Sequence, residues 1–206
     1  ISSCSESITV DDKLIFRYNE HANISSLDPA FSSTLRNIGP VNQLFNGLIK
    51  LDDSLNISGD LAKKWSISKN GLEYRFLINK NIKFHKSEIF GKDSTRSVDA
   101  YDFEYSFKRL IDPNLASPGA WSLNKIKSFK ALNDSIFQVN LKAPFSAFLE
   151  SLSMKYFSVV PKEAVSHFGN KFGKNPIGTG PFKFKKWEEN VKLVLRKNEL
   201  YFEKDK

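Results

Sequence analysis

Two short alternating runs, Trp65-Ser66-Ile67-Ser68 and Leu72-Glu73-Tyr74-Arg75-Phe76, face each other across Lys69-Asn70-Gly71. Apolar residues at every second position require an extended chain with one wet and one dry face, and Asn-Gly supplies the positive φ of a tight reversal. This segment therefore predicts a β-hairpin. The device recurs in Ile126-Lys127-Ser128-Phe129 and Phe137-Gln138-Val139-Asn140-Leu141 around Asn133-Asp134-Ser135, and in Phe182-Lys183-Phe184 and Val191 to Leu195 around Glu188-Glu189-Asn190. Leu14 to Tyr18 reads as a first strand, Leu48 to Leu51 as a short one, Ile82-Lys83-Phe84 as another alternating stretch, and Leu61 to Trp65 as one helical turn.

Between the alternating runs the period changes to that of a helix. Leu35, Ile38, Val41, Leu44, Phe45 and Leu48 recur at helical spacing after Ser33 or Thr34. Asp99 stands as an N-cap before Phe103, Phe107, Leu110 and Ile111, and Asp112-Pro113 stops that helix. Phe145 to Leu152 gives a short helix, and Pro161 opens another that ends at Gly169. Hairpins and helices interspersed in this way define an α+β chain, without a repeat or a low-complexity linker. Its 206 residues suffice for a substantial core. The 18 Phe fill that core, and some of them are alternatively placed to line a cleft.

The formal charge of +8 raises nucleic acid as a partner, but the basic residues do not cluster; Lys63-Lys64 and Lys185-Lys186 are isolated pairs. A lysine-rich wet surface accounts for them, and no nucleic-acid partner is expected. His21, His85 and His167 lack metal-ligand spacing, so no metal is expected. Gly178-Thr179-Gly180 has neither the Lys of a phosphate loop nor the Ser of a nucleophile elbow. The carboxylate pairs Asp52-Asp53 and Glu188-Glu189 lie in turns. No nucleophile meets a base, so the chain reads as a non-enzyme with no cofactor. A single cysteine, Cys4, excludes an internal disulfide.

Several stretches, in order, resemble the peptide-type family of solute-binding proteins of bacterial ABC importers, which includes oligopeptide, dipeptide and nickel binders. They are Ser26-Leu27-Asp28-Pro29-Ala30, Leu44-Phe45-Asn46-Gly47-Leu48, Asp60 to Trp65, Ser68 to Phe76, Asn81 to His85, the Asp99 to Arg109 helix, Asn175 to Phe182 and Asn198 to Phe202. The resemblance spans residues 14 to 202. It departs at Glu88 to Arg96, longer than the family's usual turn, and at Asn46, where the family has an acidic residue.

The resemblance implies part of the first lobe of a two-lobed, type II periplasmic-binding-protein fold with an inserted hairpin-and-helix subdomain. Residues 14–49 and 173–206 would form the incomplete core of lobe one, 50–172 the inserted subdomain, and 1–13 a tether; the second lobe is absent. Ile1-Ser2-Ser3-Cys4 resembles the end of a lipoprotein signal, making Cys4 a lipidation site and a lipid the only membrane attachment. The location would be extracytoplasmic, and the partners a peptide ligand and the permease subunits of an ABC transporter. Binding of a nickel complex, a sugar or another small solute stays open, as does a surface adhesion lipoprotein. By resemblance Phe31, Ser32, Ser33, Thr34 and Leu35 face the cleft, although Ser32 to Thr34 also read as helix-capping residues. Trp121 aligns with an aromatic cleft residue, against a core or surface role. Gly178 and Gly180 are expected as structural glycines of a turn that favours positive φ.

Overall fold

In the computed structural model, which describes residues 14–20 and 22–203, the alternating runs become antiparallel pairs. Strands β1 (Ile49–Leu51) and β2 (Ile57–Gly59) pair with each other. A four-stranded sheet follows, built from β3 (Ala62–Ile67), β4 (Glu73–Ile78), β5 (Ile126–Ala131) and β6 (Ile136–Leu141) in the order β3-β4-β6-β5. The two predicted hairpins thus join edge to edge, with Phe76 opposite Phe137 and Tyr74 opposite Val139. Strands β7 (Phe182–Glu188) and β8 (Lys192–Lys197) form a separate pair around Asn190, whose φ is +61°.

The first hairpin turns as its composition requires. Gly71 takes φ +68° and its N–H donates to the Ser68 carbonyl, while Asn70 Oδ1 accepts from the Ser68 hydroxyl and from Leu72 N–H. Helix α1 covers Leu35–Leu44 and α2 covers Ala100–Leu110; α3 (Phe148–Ser151) and α4 (Lys162–Phe168) are shorter. At the start of α2, Asp99 Oδ1 accepts from Tyr101 and Asp102 N–H, and Asp102 Oδ2 accepts from Asp99 N–H. This reciprocal box satisfies the otherwise orphaned donors of the first turn. The buried face of α2 carries Phe103, Phe107 and Leu110 onto the sheet, where Phe107 meets the rings of Phe137 and Phe129 at 5.1 and 5.4 Å and that of Phe157 at 5.0 Å.

Three expectations about secondary structure fail. Leu61 to Trp65 is not a helical turn, because Ala62 to Ile67 pairs along β4 and a strand satisfies more backbone groups there than one turn would. Leu14 to Tyr18 is not a strand: the segment is exposed, with Leu14 at 84 % and Phe16 at 89 %, and no described strand lies beside it to complete its hydrogen bonds. Ile111 caps α2 rather than joining its apolar face and is half exposed.

The long stretch from Glu88 to Arg96 folds as a tight 3₁₀ segment, Glu88–Asp93, kinked at Gly91. It delivers Arg96 between Asp102 and Glu163, with bonds of 2.7–2.8 Å to each, and over the rings of Phe84 and Phe90. One hydrophobic core runs from Leu27 to Ile177, and nine Phe side chains, among them Phe45, Phe84 and Phe172, are wholly buried in it. Among the described residues no helix is long and apolar enough to cross a membrane. Cys4 and the proposed tether at 1–13 lie outside the described residues.

Candidate ligand-binding segment

The chain between Ser25 and Leu35 is fixed from behind and open in front. Asp28-Pro29 forces a 3₁₀ turn, Pro29–Phe31, whose Ala30 N–H is capped by Asp28 Oδ1 at 3.0 Å. The same carboxylate receives both arms of the Arg109 guanidinium, at 3.2 and 2.7 Å, from the last turn of α2. Both side chains are nearly buried, and Arg109 also lies 5.5 Å from the centroid of Phe172. Ser117 Oγ donates to the Ala30 carbonyl at 2.6 Å, Asn37 Nδ2 to the Phe31 carbonyl at 3.2 Å, and Leu27 N–H to the Gly173 carbonyl at 2.9 Å.

On the open side the predicted residues behave differently from one another. Phe31 is half-buried against the core. Ser33 is exposed and Leu35 is 85 % exposed at the first position of α1. Thr34 occupies the N-cap of α1 with extended backbone, yet its hydroxyl caps nothing. Ser32 is 3 % exposed. Among the described residues the buried side-chain polar atoms without a hydrogen-bond partner are Ser32 Oγ, Thr34 Oγ1 and Arg36 Nε. Buried polar atoms are nearly always paired, so three gaps within five residues single this segment out as the candidate site.

Trp121 is 58 % exposed, on the 3₁₀ turn Ala120–Leu123. Ser117, four residues earlier, accepts from Gly119 N–H while donating to Ala30, which sets the turn bearing Trp121 beside the turn bearing Phe31. Arg36, Asp28 and Arg109 were not among the sequence-derived site residues. The bidentate pair joins positions 81 residues apart, a separation no local pattern reports.

Gly178 and Gly180 lie elsewhere, against the far end of α1. A Cβ at Gly178 would stand 2.1 Å from the Leu44 carbonyl oxygen, and one at Gly180 2.4 Å from that of Gln43. Close backbone approach, not positive φ, demands glycine here, since the left-handed glycines are Gly71, Gly91 and Gly169. His85 holds the loop: its N–H donates to the Gly178 carbonyl at 2.7 Å, its Nδ1 accepts from Gly178 N–H at 3.3 Å, and its Nε2 lies 3.0 Å from the Gly180 carbonyl. This pattern requires the neutral ring with its proton on Nε2, and burial lowers the pKa of His85 to about 4.

Asn46, where the family has an acid, is a structural knot. Its Nδ2 donates to Asp60 Oδ1 and its Oδ1 accepts from Thr179, while Gly47 N–H donates to Asp60 Oδ2. A cavity of about 440 Å³ opens beside this knot, lined among others by Gln43, Lys50, Lys155 and Tyr201. Burial pushes Asp60 up and Lys155 down, and holds Tyr201 up at about 12. Lys50 is paired with Glu203. Among the described residues no three His, Cys, Asp or Glu side chains are grouped to hold a metal ion.

A sequence profile described as "Bacterial extracellular solute-binding proteins, family 5 Middle" matches residues 56–206. The chain is 31 % identical over 218 aligned positions to the periplasmic oligopeptide-binding protein OppA of Salmonella typhimurium, covering 97 % of this chain and 38 % of the relative. Among solved structures it superposes on the periplasmic binding protein DppA of Helicobacter pylori in complex with the peptide STSA, with TM-score 0.78 and 31 % identity over 88 % of this chain and 38 % of that one. NikZ of Campylobacter jejuni in complex with Ni(L-His) gives TM-score 0.75 and 31 % identity, over 89 % of this chain and 35 % of that one. The chain thus spans less than two fifths of the length of each. Its mixed helix-and-strand architecture is a partial lobe of the type II periplasmic-binding fold.

Proposed function

The chain belongs to family 5 of the bacterial extracellular solute-binding proteins, and from that premise we propose that it forms one wall of a cleft that captures peptides for an ABC importer. The family is one of solute-binding transport proteins, not enzymes. The observation that carries the reading is the segment 31–36, rigidly backed by Asp28–Arg109, Ser117 and Asn37, with unanswered polar atoms at Ser32 and Thr34. A peptide's constant feature is its backbone, whose N–H and C=O groups can meet the hydroxyls of Ser32 and Thr34 and the main-chain groups that this segment does not use internally. In this reading the exposed Leu35 and Trp121 border the ligand's side chains.

In the same proposal residues 14–49 and 173–206 belong to the core of the first lobe and 50–172 to an inserted subdomain. A second lobe closes on the ligand, burying it and supplying partners from the opposite side. Cys4 in Ile1-Ser2-Ser3-Cys4 carries the lipid that keeps the binder beside its permease. The likeness to a nickel–histidine binder supports a second reading, capture of a metal complex through its amino-acid ligand.

Mass spectrometry of solute copurified with the full-length protein separates the two. A peptide ladder supports the first reading, a histidine–nickel adduct the second, and an empty protein that binds neither in calorimetry rejects both. Residues 1–206 alone are expected to give no heat with the same peptides. Equal affinity in both forms would refute the two-lobed clamp.

A further inference from the structure

The three unanswered atoms belong to residues that flank the beginning of α1. Thr34 sits at its N-cap with φ −130° and ψ 150°, the backbone in which a hydroxyl ordinarily accepts an N–H of the first turn, but it makes no such bond. The first turn carries no acidic side chain. Among the described residues the N–H groups of Leu35 and Arg36 have no carbonyl acceptor, and the first turn of this ten-residue helix offers no negative side chain to its positive end.

Arg36 stands in that first turn. Helical side chains lean toward the N-terminus, which for Arg36 is the direction of residues 32–34. Its Nε is buried and unbonded, and among the described residues it forms no ion pair. By contrast, Arg109 is matched with Asp28, and Arg96 with Asp102 and Glu163. Ser32, 3 % exposed, adds a second buried hydroxyl without a partner two residues before the cap.

We infer that Ser32, Thr34, Arg36 and the first N–H groups of α1 form a carboxylate subsite, and that Arg36 sets the chain's preference for ligands carrying an acidic group. A guanidinium fork matches the two oxygens of a carboxylate, the hydroxyls can each donate one bond, and the helix N-terminus favours the negative charge. The carboxylate comes either from an acidic side chain of the ligand or from its C-terminus. This inference rests on the solute-capture reading above, and it names the chemical class of solute.

The test titrates full-length protein calorimetrically with Ala-Glu-Ala, Ala-Gln-Ala and C-terminally amidated Ala-Gln-Ala, in the unaltered chain, Arg36→Met and Arg36→Lys. Arg36→Met is expected to weaken the carboxylate-bearing ligand by about ten- to a hundredfold while leaving the one that lacks that carboxylate within about twofold. Arg36→Lys restores part of the loss. Loss with Ala-Glu-Ala alone assigns the site to a side-chain carboxylate, and loss with both unamidated peptides assigns it to the terminus. Equal weakening of all three, or of none, overturns the subsite. In parallel, sodium acetate against a sodium chloride control is followed by the amide resonances of Leu35 and Arg36. Saturable shifts with acetate in a protein that binds none of the peptides would retain the subsite and dismiss peptide capture. Unshifted amides together with unselective peptide binding would dismiss the subsite and retain capture.

Discussion

Replacing Asp28 with Ala isolates what holds the candidate segment in place. Arg109 would keep a guanidinium whose side chain is only 10 % exposed, with neither oxygen of its partner remaining. An exposed pair contributes at most about 1 kcal/mol, whereas removing one member of a buried pair costs about 3–5 kcal/mol, because the remaining charge is neither paired nor hydrated. Burial of both side chains selects the larger figure. Loss of the bond to Ala30 N–H acts in the same direction, by about 1 kcal/mol for an N-cap. At this chain length each kcal/mol moves the melting temperature by roughly 2–4 °C, so a fall on the order of 10 °C is expected. Thermal melts followed by circular dichroism would measure that fall, and urea titrations the free-energy cost. In a double-mutant cycle, Asp28→Asn with Arg109→Met should cost less than the two single changes summed, by about 1–3 kcal/mol, because the double variant strands no charge. A cost below about 1 kcal/mol for Asp28→Ala, or strict additivity in the cycle, would refute the reasoning.

Three further outcomes follow from other parts of the molecule. His85 is neutral in the folded chain down to about pH 4 but protonates near 6.5 when unfolded. Its contribution is therefore complete above pH 6.5 and is lost as the pH falls from 6.5 toward 4, by up to roughly 3 kcal/mol, and His85→Gln should flatten the stability profile across that window. Gly178→Ala should destabilise by about 1–3 kcal/mol, since its Cβ meets the backbone at Leu44, which has nowhere to go; an unchanged urea midpoint would disprove the close approach. Cys4→Ser should move the protein in its native host from the membrane to the soluble fraction, and labelling with palmitate should disappear with it; a variant that stays on the membrane removes the lipid anchor from the proposal.

What the sequence determined by itself is local. Period-two alternation around Asn70-Gly71 and around Asn133 to Ser135 placed two hairpins, and Asp99 as an N-cap marked the start of α2, because turns and caps are satisfied by atoms a few residues away. Sequence order and motif spacing also carried the resemblance to the family. Tertiary structure alone decided which edges meet. Nothing in β4 or β6 announces that Phe76 pairs with Phe137, and the competition between a helical turn and a strand at Ala62 to Trp65 was settled by β4. Leu14 to Tyr18 shows the converse, since a strand-like apolar run there yields no strand without a neighbouring edge among the described residues. At the candidate site, Ser32 to Thr34 read equally as capping or cleft residues, and only the structure shows that the Thr34 hydroxyl caps nothing and that Ser32 is buried. Arg36 carried no sequence signal, because an arginine in a helix is ordinarily a solvated one. Its significance is that of a donor without an acceptor, and a missing partner is a property of three-dimensional surroundings, not of the chain's order.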